Sequence, residues 1–247
     1  MDKPPVTGAS LSDIWGVPIA IWRARRAIDR GDVGHARTLV APLLGRFGTV
    51  TLVRKIAAEV LYASGDPLSA AALFEQAAKK LPRDRGVAVG LVASYAALGR
   101  AGDARRAAAL LPAEVDVRLA LAWAELVAQG GDRGRGATLV TEVARDPELA
   151  RSPERVAMHG ALEAVVSARA GDRDAALTKL RAAEQAAVRL RAADRAFLGY
   201  LAGVALREAA LVGEARTRFG VAMEASPDSI GAALARRERA NLDLPRP

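Results

Sequence analysis

Small and apolar residues recur along this chain at helical spacing, and short turns interrupt the pattern at regular intervals. After Asp66, the residues Ala70, Phe74 and Ala77 follow at i, i+4 and i+7, which places them on one face of a helix. Pro82 ends that helix, because proline cannot continue an established one. Matching turns align on Gly31, Gly65, Gly99, Gly131 and Gly171, with Ala210 in the glycine's place. The intervals of 34, 34, 32, 40 and 39 residues give each unit room for two helices.

Two columns of small residues lie at fixed offsets from these turns. The column five residues after each turn contains Ala36, Ala70, Ala104, Gly136, Ala176 and Ala215. The column seven residues before each turn contains Ala24, Ala58, Val92, Ala124, Ala164 and Gly203. Helix axes approach one another to about 8–10 Å only where the side chains between them are small enough. The two columns therefore predict the contact between the two helices of each unit.

This repeated pattern resembles the tetratricopeptide repeat family. The unit at 51–84 carries the resemblance most fully, with Ala58, the Ser-Gly-Asp-Pro turn, Ala70, Phe74, Ala77 and Pro82. The unit at 196–228 follows with Gly203, Ala215, Phe219, Ala222 and Pro227. The family's aromatic residue early in the first helix is mostly missing, and two units are longer than the others. We therefore expect an irregular second half.

The resemblance implies an all-α fold, a right-handed α-solenoid of about six antiparallel helix pairs with a C-terminal capping helix. The predicted divisions are a flexible segment 1–16, units at 17–48, 49–84, 85–114, 115–153, 154–192 and 193–228, a capping helix 229–240 and a tail 241–247. The capping helix carries Arg236, Arg237 and Arg239 opposite its apolar side. It is therefore predicted to face solvent.

The candidates for chemistry are few. The chain has no cysteine, and its two histidines, His35 and His159, lie in different units, so neither a metal site nor a catalytic triad can be assembled by spacing. The Gly-Asp pairs of the turns do not converge either, because equivalent turns of a stacked repeat lie one unit apart. Glycine is expected to end the first helix, and aspartate to cap the second. We expect no catalytic residue, no cofactor and no enzyme activity.

The formal charge of +8 raises nucleic-acid and membrane binding as alternatives. The basic stretches 23–30, 79–85 and 189–195 suit phosphates, but acidic residues are interleaved and no aromatic platform accompanies them, which disfavours nucleic acid. No stretch reaches the roughly 18 apolar residues of a membrane helix. The prediction is a cytoplasmic protein or, alternatively, the soluble part of a membrane-anchored one. Direct membrane contact is expected only through residues 14–26, which include two tryptophans followed by arginines.

In the tetratricopeptide repeat family, the first helices of successive pairs line a concave groove that takes a peptide or a partner helix. Carried over unit by unit, the partner-binding positions are Arg25, Lys55, Glu59, Tyr62, Arg118, Leu121, Glu125, Met158, Phe197, Tyr200 and Arg207. Tyr62 and Tyr200 are expected to dominate affinity, because aromatic residues are frequent interface hot spots. An alternative buries three apolar residues of the groove helices, Leu52, Leu121 and Val204, against neighbouring helices instead.

The resemblance thus implies a non-catalytic scaffold or adaptor of bacterial type, whose protein or peptide partner the sequence does not name. The alternative function is a soluble module of a larger membrane-associated or secretion assembly.

Overall fold

The computed structural model describes residues 11–128 and 130–243, and within these ranges the chain is all helical. The α-helices are α1 (Leu11–Asp29), α2 (Val33–Phe47), α3 (Thr51–Ala63), α4 (Pro67–Ala78), α5 (Arg85–Ala97), α6 (Ala101–Ala108), α7 (Val115–Val127), α8 (Arg133–Val143), α9 (Pro153–Arg169), α10 (Arg173–Ala187), α11 (Ala192–Glu208), α12 (Val212–Ala225) and α13 (Ile230–Asp243). Helices α1 to α12 form six successive pairs, and α13 packs on the last of them. The predicted all-α solenoid is confirmed.

The turn inside four of the six pairs has the aspartate cap that the Gly-Asp pattern predicts, whereas α6 and α12 begin without a side-chain cap. Gly65 has a φ of +78°, in the left-handed region that glycine enters at little cost, and Ala210 holds the equivalent position with a φ of +60°. Asp66 then caps α4, since its carboxylate accepts a hydrogen bond from the Ser69 backbone N–H at 3.1 Å. Three further aspartates cap their helices in the same way: Asp32, Asp132 and Asp172. The glycine and aspartate of these turns are structural.

Both columns of small residues lie in the interior. Ala58 and Ala70 are fully buried where α3 crosses α4. At two positions even alanine would be too large, because a Cβ on Gly136 would lie 2.7 Å from Leu126 Cγ, and one on Gly203 would overlap the Phe219 ring. The small residues therefore set the close approach of the paired helices.

The predicted divisions differ from the observed helices mainly at the ends and in the second half. Helix α1 already begins at Leu11, so residues 11–16 are helical rather than part of a flexible segment. Residues 1–10 and 244–247 lie outside the described residues. The extra length of the fourth and fifth units forms a short 3-10 helix, Leu149–Arg151, and extends α9 to 17 residues.

The last helix closes the superhelix on itself, which corrects the expectation of a purely solvent-facing cap. Ala233 of α13 lies against the α3–α4 turn, at 3.1 Å from where a Cβ on Gly65 would stand. Arg237 Nη1 donates to the Ala97 carbonyl at the end of α5, at 2.9 Å. We call these contacts between α13 and the second and third units the closing contact. It joins the chain's last helix to repeats more than 130 positions earlier.

A glycine-to-alanine pair tests the closing contact. Gly65→Ala and Gly171→Ala both place a side chain at a left-handed φ, which costs about 1–2 kcal/mol. Only at Gly65 does the new Cβ also meet Ala233, whereas no atom outside the turn lies within 4 Å at Gly171. We expect Gly65→Ala to lower the free energy of unfolding by about 1 kcal/mol more than Gly171→Ala, as measured by urea denaturation. Equal losses would show that the closing contact is not tight.

Candidate partner-binding pocket

The closed superhelix surrounds a pocket on its concave side. Two cavities of about 380 and 440 Å³ adjoin at Tyr62, Val89 and Ala93, which line both, and we call the two together the concave pocket. Its walls come from the first helices of the pairs, α1, α3, α5, α7, α9 and α11. The concave pocket therefore lies on the helices that the sequence predicts to line a binding groove.

The floor of the concave pocket is apolar and partly aromatic. Trp123 of α7 meets the edge of Phe197 of α11, with ring centroids 4.9 Å apart. Met158 and Tyr62 complete this apolar surface. Edge-to-face aromatic pairs contribute about 0.5–1.5 kcal/mol beyond the area that they bury. The floor is therefore a stable, preformed apolar surface that spans α7 and α11.

The rim of the concave pocket is charged and balanced. Its charged residues are Arg25, Arg85, Arg155 and Arg191, against Asp29, Glu59, Asp116 and Glu154. Arg155 holds Asp116 through two hydrogen bonds of 2.9 and 3.1 Å. Arg191 Nη1 lies 2.9 Å from Asp29 and joins the start of α11 to the end of α1. Because the arginines of the rim are engaged by acidic residues, the rim favours neither sign of charge.

Two carboxylates of the rim have shifted pKa values: a hydrogen bond from Ser152 lowers the pKa of Glu154, whereas the pKa of Glu59 is raised. Burial raises the pKa of the Glu59 carboxyl, and the nearby guanidinium of Arg25, whose Nε lies 3.5 Å away, opposes that shift only in part. A raised pKa means that the pocket disfavours the ionised carboxylate. A group on a partner that donates a hydrogen bond to Glu59 would therefore be stabilised there.

The structure brings part of the predicted groove together in the concave pocket. The predicted residues that line it are Arg25, Glu59, Tyr62, Met158 and Phe197. They come from four different helices and from units one, two, five and six. The register carried over from the turns therefore holds for these units.

Three other predicted residues are engaged in ion pairs between helices of the chain. Lys55 Nζ lies 2.7 Å from Asp84, Arg118 pairs with Asp146, and Arg207 pairs with Glu238. Burial alone would raise the pKa of Asp84, but the hydrogen bonds from Lys55 and the Val87 N–H outweigh it and hold that pKa below its usual value. These cations hold neighbouring helices together, so a partner would have to compete for them.

The remaining three predicted residues are buried, which corrects the expectation that they line an open groove. Leu121 and Tyr200 lie in the hydrophobic core, as the alternative for Leu121 held. Glu125 is fully buried and accepts hydrogen bonds from Arg105 at 2.5 and 2.6 Å and from the Asp132 N–H at 2.8 Å. Leu121 and Glu125 are buried because α7 is rotated relative to the predicted register. Tyr200 of α11 is buried because the superhelix is closed.

Sequence reasoning missed several residues of the pocket, chiefly Trp123, Asp116 and Arg155. For Trp123 and Asp116 the Gly130-Gly131 pair is a partial signal, because it offers two ways to align the fourth unit and, of the two glycines, only Gly130 has a positive φ. Arg155 lies in α9 of the fifth unit, and no turn signal points to it. No group of three or more potential ligands that could hold a metal ion occurs among the described residues. Over the same part of the chain, no helix is both long and apolar enough to cross a membrane.

Comparison with known proteins relates the chain to solved structures only, since no protein-family model and no curated protein matches it. The crystal structure of TTC0263, a thermophilic tetratricopeptide repeat protein of Thermus thermophilus, aligns with a TM-score of 0.53 at 21% identity, over 78% of this chain and 98% of that one. The human IFIT1 dimer with m7Gppp-AAAA aligns with a TM-score of 0.50 at 16% identity, over 89% of this chain and 53% of IFIT1. At these identities the similarity shows the fold alone.

Proposed function

We propose, from the premise of a tetratricopeptide-like helical fold, that this chain is a non-catalytic scaffold or adaptor of bacterial type that binds a protein partner in the concave pocket. The observation that carries the proposal is an apolar floor inside the ring of helices, reached past a charge-balanced rim. Folds of this type generally mediate protein interactions. A cytoplasmic location is part of the same proposal.

The chemistry of the concave pocket selects the kind of segment that it binds. A concave site lined mainly by apolar groups favours the apolar parts of a ligand. The few polar groups around such a site fix the orientation of the ligand. An apolar side chain of a partner helix or extended segment fills the space between Tyr62, Met158 and Phe197. Flanking residues of either charge find counterparts on the rim.

The balanced rim favours a protein partner over a nucleic acid. Nucleic-acid affinity depends on cations that neutralise phosphates. The four arginines of the rim, Arg25, Arg85, Arg155 and Arg191, are all engaged by carboxylates of the same chain. The m7Gppp-AAAA in the IFIT1 structure accompanies IFIT1, and it does not indicate what this chain binds. Among the described residues, the lining of the concave pocket contains no cluster of unpaired cations.

A charge placed inside the concave pocket tests the proposal. Val89 lies on the floor where the two cavities meet, so Val89→Glu would force a carboxylate against the apolar part of a bound partner. For a partner isolated from the native host, we expect titration calorimetry to show affinity lowered about a hundredfold or more. A photoreactive residue at position 89 is expected to crosslink to the same partner.

The matched control is Val221→Glu, at an exposed valine on the outer helix α12. It is expected to leave affinity unchanged, and thermal melting of both variants checks that the fold is kept. Loss of affinity with Val221→Glu but not with Val89→Glu would move the binding site to the outer face and contradict the proposal.

A second candidate function is favoured by one specific observation. Ile19 and Trp22 are large apolar residues of α1 that remain exposed to solvent. We infer that the chain can also serve as a module of a larger membrane-associated or secretion assembly, to which α1 attaches it.

A further inference from the structure

The outer face of α1 combines exposed apolar side chains with arginines. Ile19 is 53% exposed and Trp22 is 56% exposed. Arg23 and Arg26 follow at i+4 and i+7 from Ile19, which keeps these residues on one side of the helix, and Arg30 lies in the turn directly after α1. We call this set the outer stripe of α1. The opposite side carries buried residues, including Ile21, Ala24 and Ala27, which fix α1 to the rest of the fold.

Among the residues that the structure describes, no carboxylate engages the arginines of the outer stripe. Arg26 lies over the Trp22 ring, with its guanidinium carbon 5.1 Å from the ring centroid. Arg23 and Arg30 make no ion pair with any residue that the structure describes. The neighbouring acidic group, Asp29, is held by Arg191 across the rim. The outer stripe therefore presents three positive charges beside an apolar pair.

We propose that the outer stripe of α1 binds an anionic membrane surface. This inference rests on the second candidate function and names the partner of that site. Tryptophan prefers the headgroup region of a bilayer, because its ring is apolar while its N–H remains able to donate a hydrogen bond. Trp22 and Ile19 enter that region, and Arg23, Arg26 and Arg30 pair with lipid phosphates. The formal charge of +8 adds long-range attraction to the same surface.

A peripheral contact of this kind requires no rearrangement of the fold. The buried side of α1 stays packed while the outer stripe faces the lipid. Because both apolar side chains are already exposed, their transfer from water into the interface is favourable without unfolding any helix. The charge pattern argues for lipid over a second copy of this chain, since two outer stripes facing each other would bring six arginines together.

The test measures binding of the full chain to vesicles by co-sedimentation. Vesicles of phosphatidylcholine alone are compared with vesicles that also contain phosphatidylglycerol. The chain is expected to bind the second kind only, and added salt is expected to weaken that binding. Ile19→Ala/Trp22→Ala and Arg23→Gln/Arg26→Gln/Arg30→Gln are each expected to lower the partition coefficient about tenfold or more. Circular dichroism confirms that both variants remain folded.

The control is the triple variant Arg145→Gln/Arg173→Gln/Arg181→Gln, which removes the same charge from exposed arginines of α10 and of the segment after α8. It is expected to keep most of the binding. An equal loss of vesicle binding in both triple variants would overturn the proposal, because it would show that the positive charge of the whole chain, rather than the outer stripe, attracts the vesicles. Equal binding to neutral vesicles, or none to either kind, would also overturn it.

The second candidate function fails by a different outcome. If the vesicles do not bind the chain but a photoreactive residue at position 22 crosslinks to a membrane protein of the host, the lipid proposal is wrong and the second candidate function stands. If the host's membranes retain neither the chain nor a crosslinked partner, both are wrong.

Discussion

Replacing Tyr200 with alanine is expected to lower the free energy of unfolding by about 3–5 kcal/mol, the usual cost of emptying a large aromatic site in a core. Tyr200 is fully buried and packs among three aromatic rings, with centroid distances of 6.4 Å to Trp123, 5.8 Å to Phe197 and 6.5 Å to Phe219. Alanine would leave a cavity where α7, α11 and α12 meet. Urea denaturation followed by circular dichroism measures the loss.

Tyr200→Phe keeps the ring and removes only the hydroxyl, so it measures what the hydroxyl contributes to stability. The hydroxyl is buried without a hydrogen-bond partner of good geometry among the described residues. Burial, aided by Glu238 and opposed by the nearby Trp123 side chain, raises its pKa to about 12. Removing an unpaired buried hydroxyl is expected to leave stability unchanged or to raise it by up to about 1 kcal/mol. A loss with Tyr200→Phe as large as that with Tyr200→Ala would mean that the hydroxyl, rather than the ring, stabilises this region.

Replacing Glu125 with alanine is expected to cost about 1–3 kcal/mol, because it removes a buried acceptor and leaves the Asp132 N–H without its partner. The Arg105 side chain is 32% exposed, so it stays hydrated when the carboxylate is removed. The Glu125 carboxylate holds Arg105 of α6 and the N–H of Asp132 in the α7–α8 turn. Its loss would loosen that turn and the contact between the third and fourth units. The midpoint of thermal unfolding is the measurement.

Two further variants measure how much the pairing of Glu125 with Arg105 contributes to stability. Glu142→Ala removes an exposed carboxylate of α8 and is expected to change stability by no more than about 0.5 kcal/mol. Glu125→Ala/Arg105→Ala is expected to be less destabilised than the sum of its single variants, because neither charge is then left alone. Strict additivity would show that the two side chains do not depend on each other.

The local parts of the fold could be predicted because each depends on residues within one unit. The left-handed turn at Gly65, the cap by Asp66 and the buried contact at Ala70 need only the neighbouring helices. The same holds for the part of the concave pocket formed by α3 and α5, where the position of the turn sets which side of the helix faces inward. Glu59 and Tyr62, two predicted positions of α3, therefore both line the concave pocket.

The fourth unit was predicted in the wrong register, and the cause is physical. Helix α3 ends at Ala63, two residues before Gly65, whereas α7 ends at Val127, four residues before the aligned Gly131. Two residues turn a helix by about 200°, since each adds about 100°. The predicted positions therefore rotated into the core, and Trp123 took the inward-facing place. Spacing alone could not reveal the extra turn residues.

The sixth unit was correctly aligned, yet Tyr200 is not accessible. Phe197 on the same face of α11 lines the concave pocket, but Tyr200 is covered by Trp123 from a unit two repeats earlier. Such contacts depend on how tightly the superhelix curves. Small rotations between successive units accumulate to set that curvature, and no single repeat specifies it.

The closing contact also bears on how this chain unfolds. In an open array each repeat touches only its neighbours, so the two terminal repeats lose structure first and the array can gain or lose units with little penalty. Here α13 rests on the α3–α4 turn and on the end of α5, so the last helix is held from two directions. Adding or deleting one repeat would move α13 away from the α3–α4 turn and from the end of α5, so the closing contact could not form. The number of repeats is thereby fixed by geometry, and unfolding is expected to be more cooperative than in an open array of the same length.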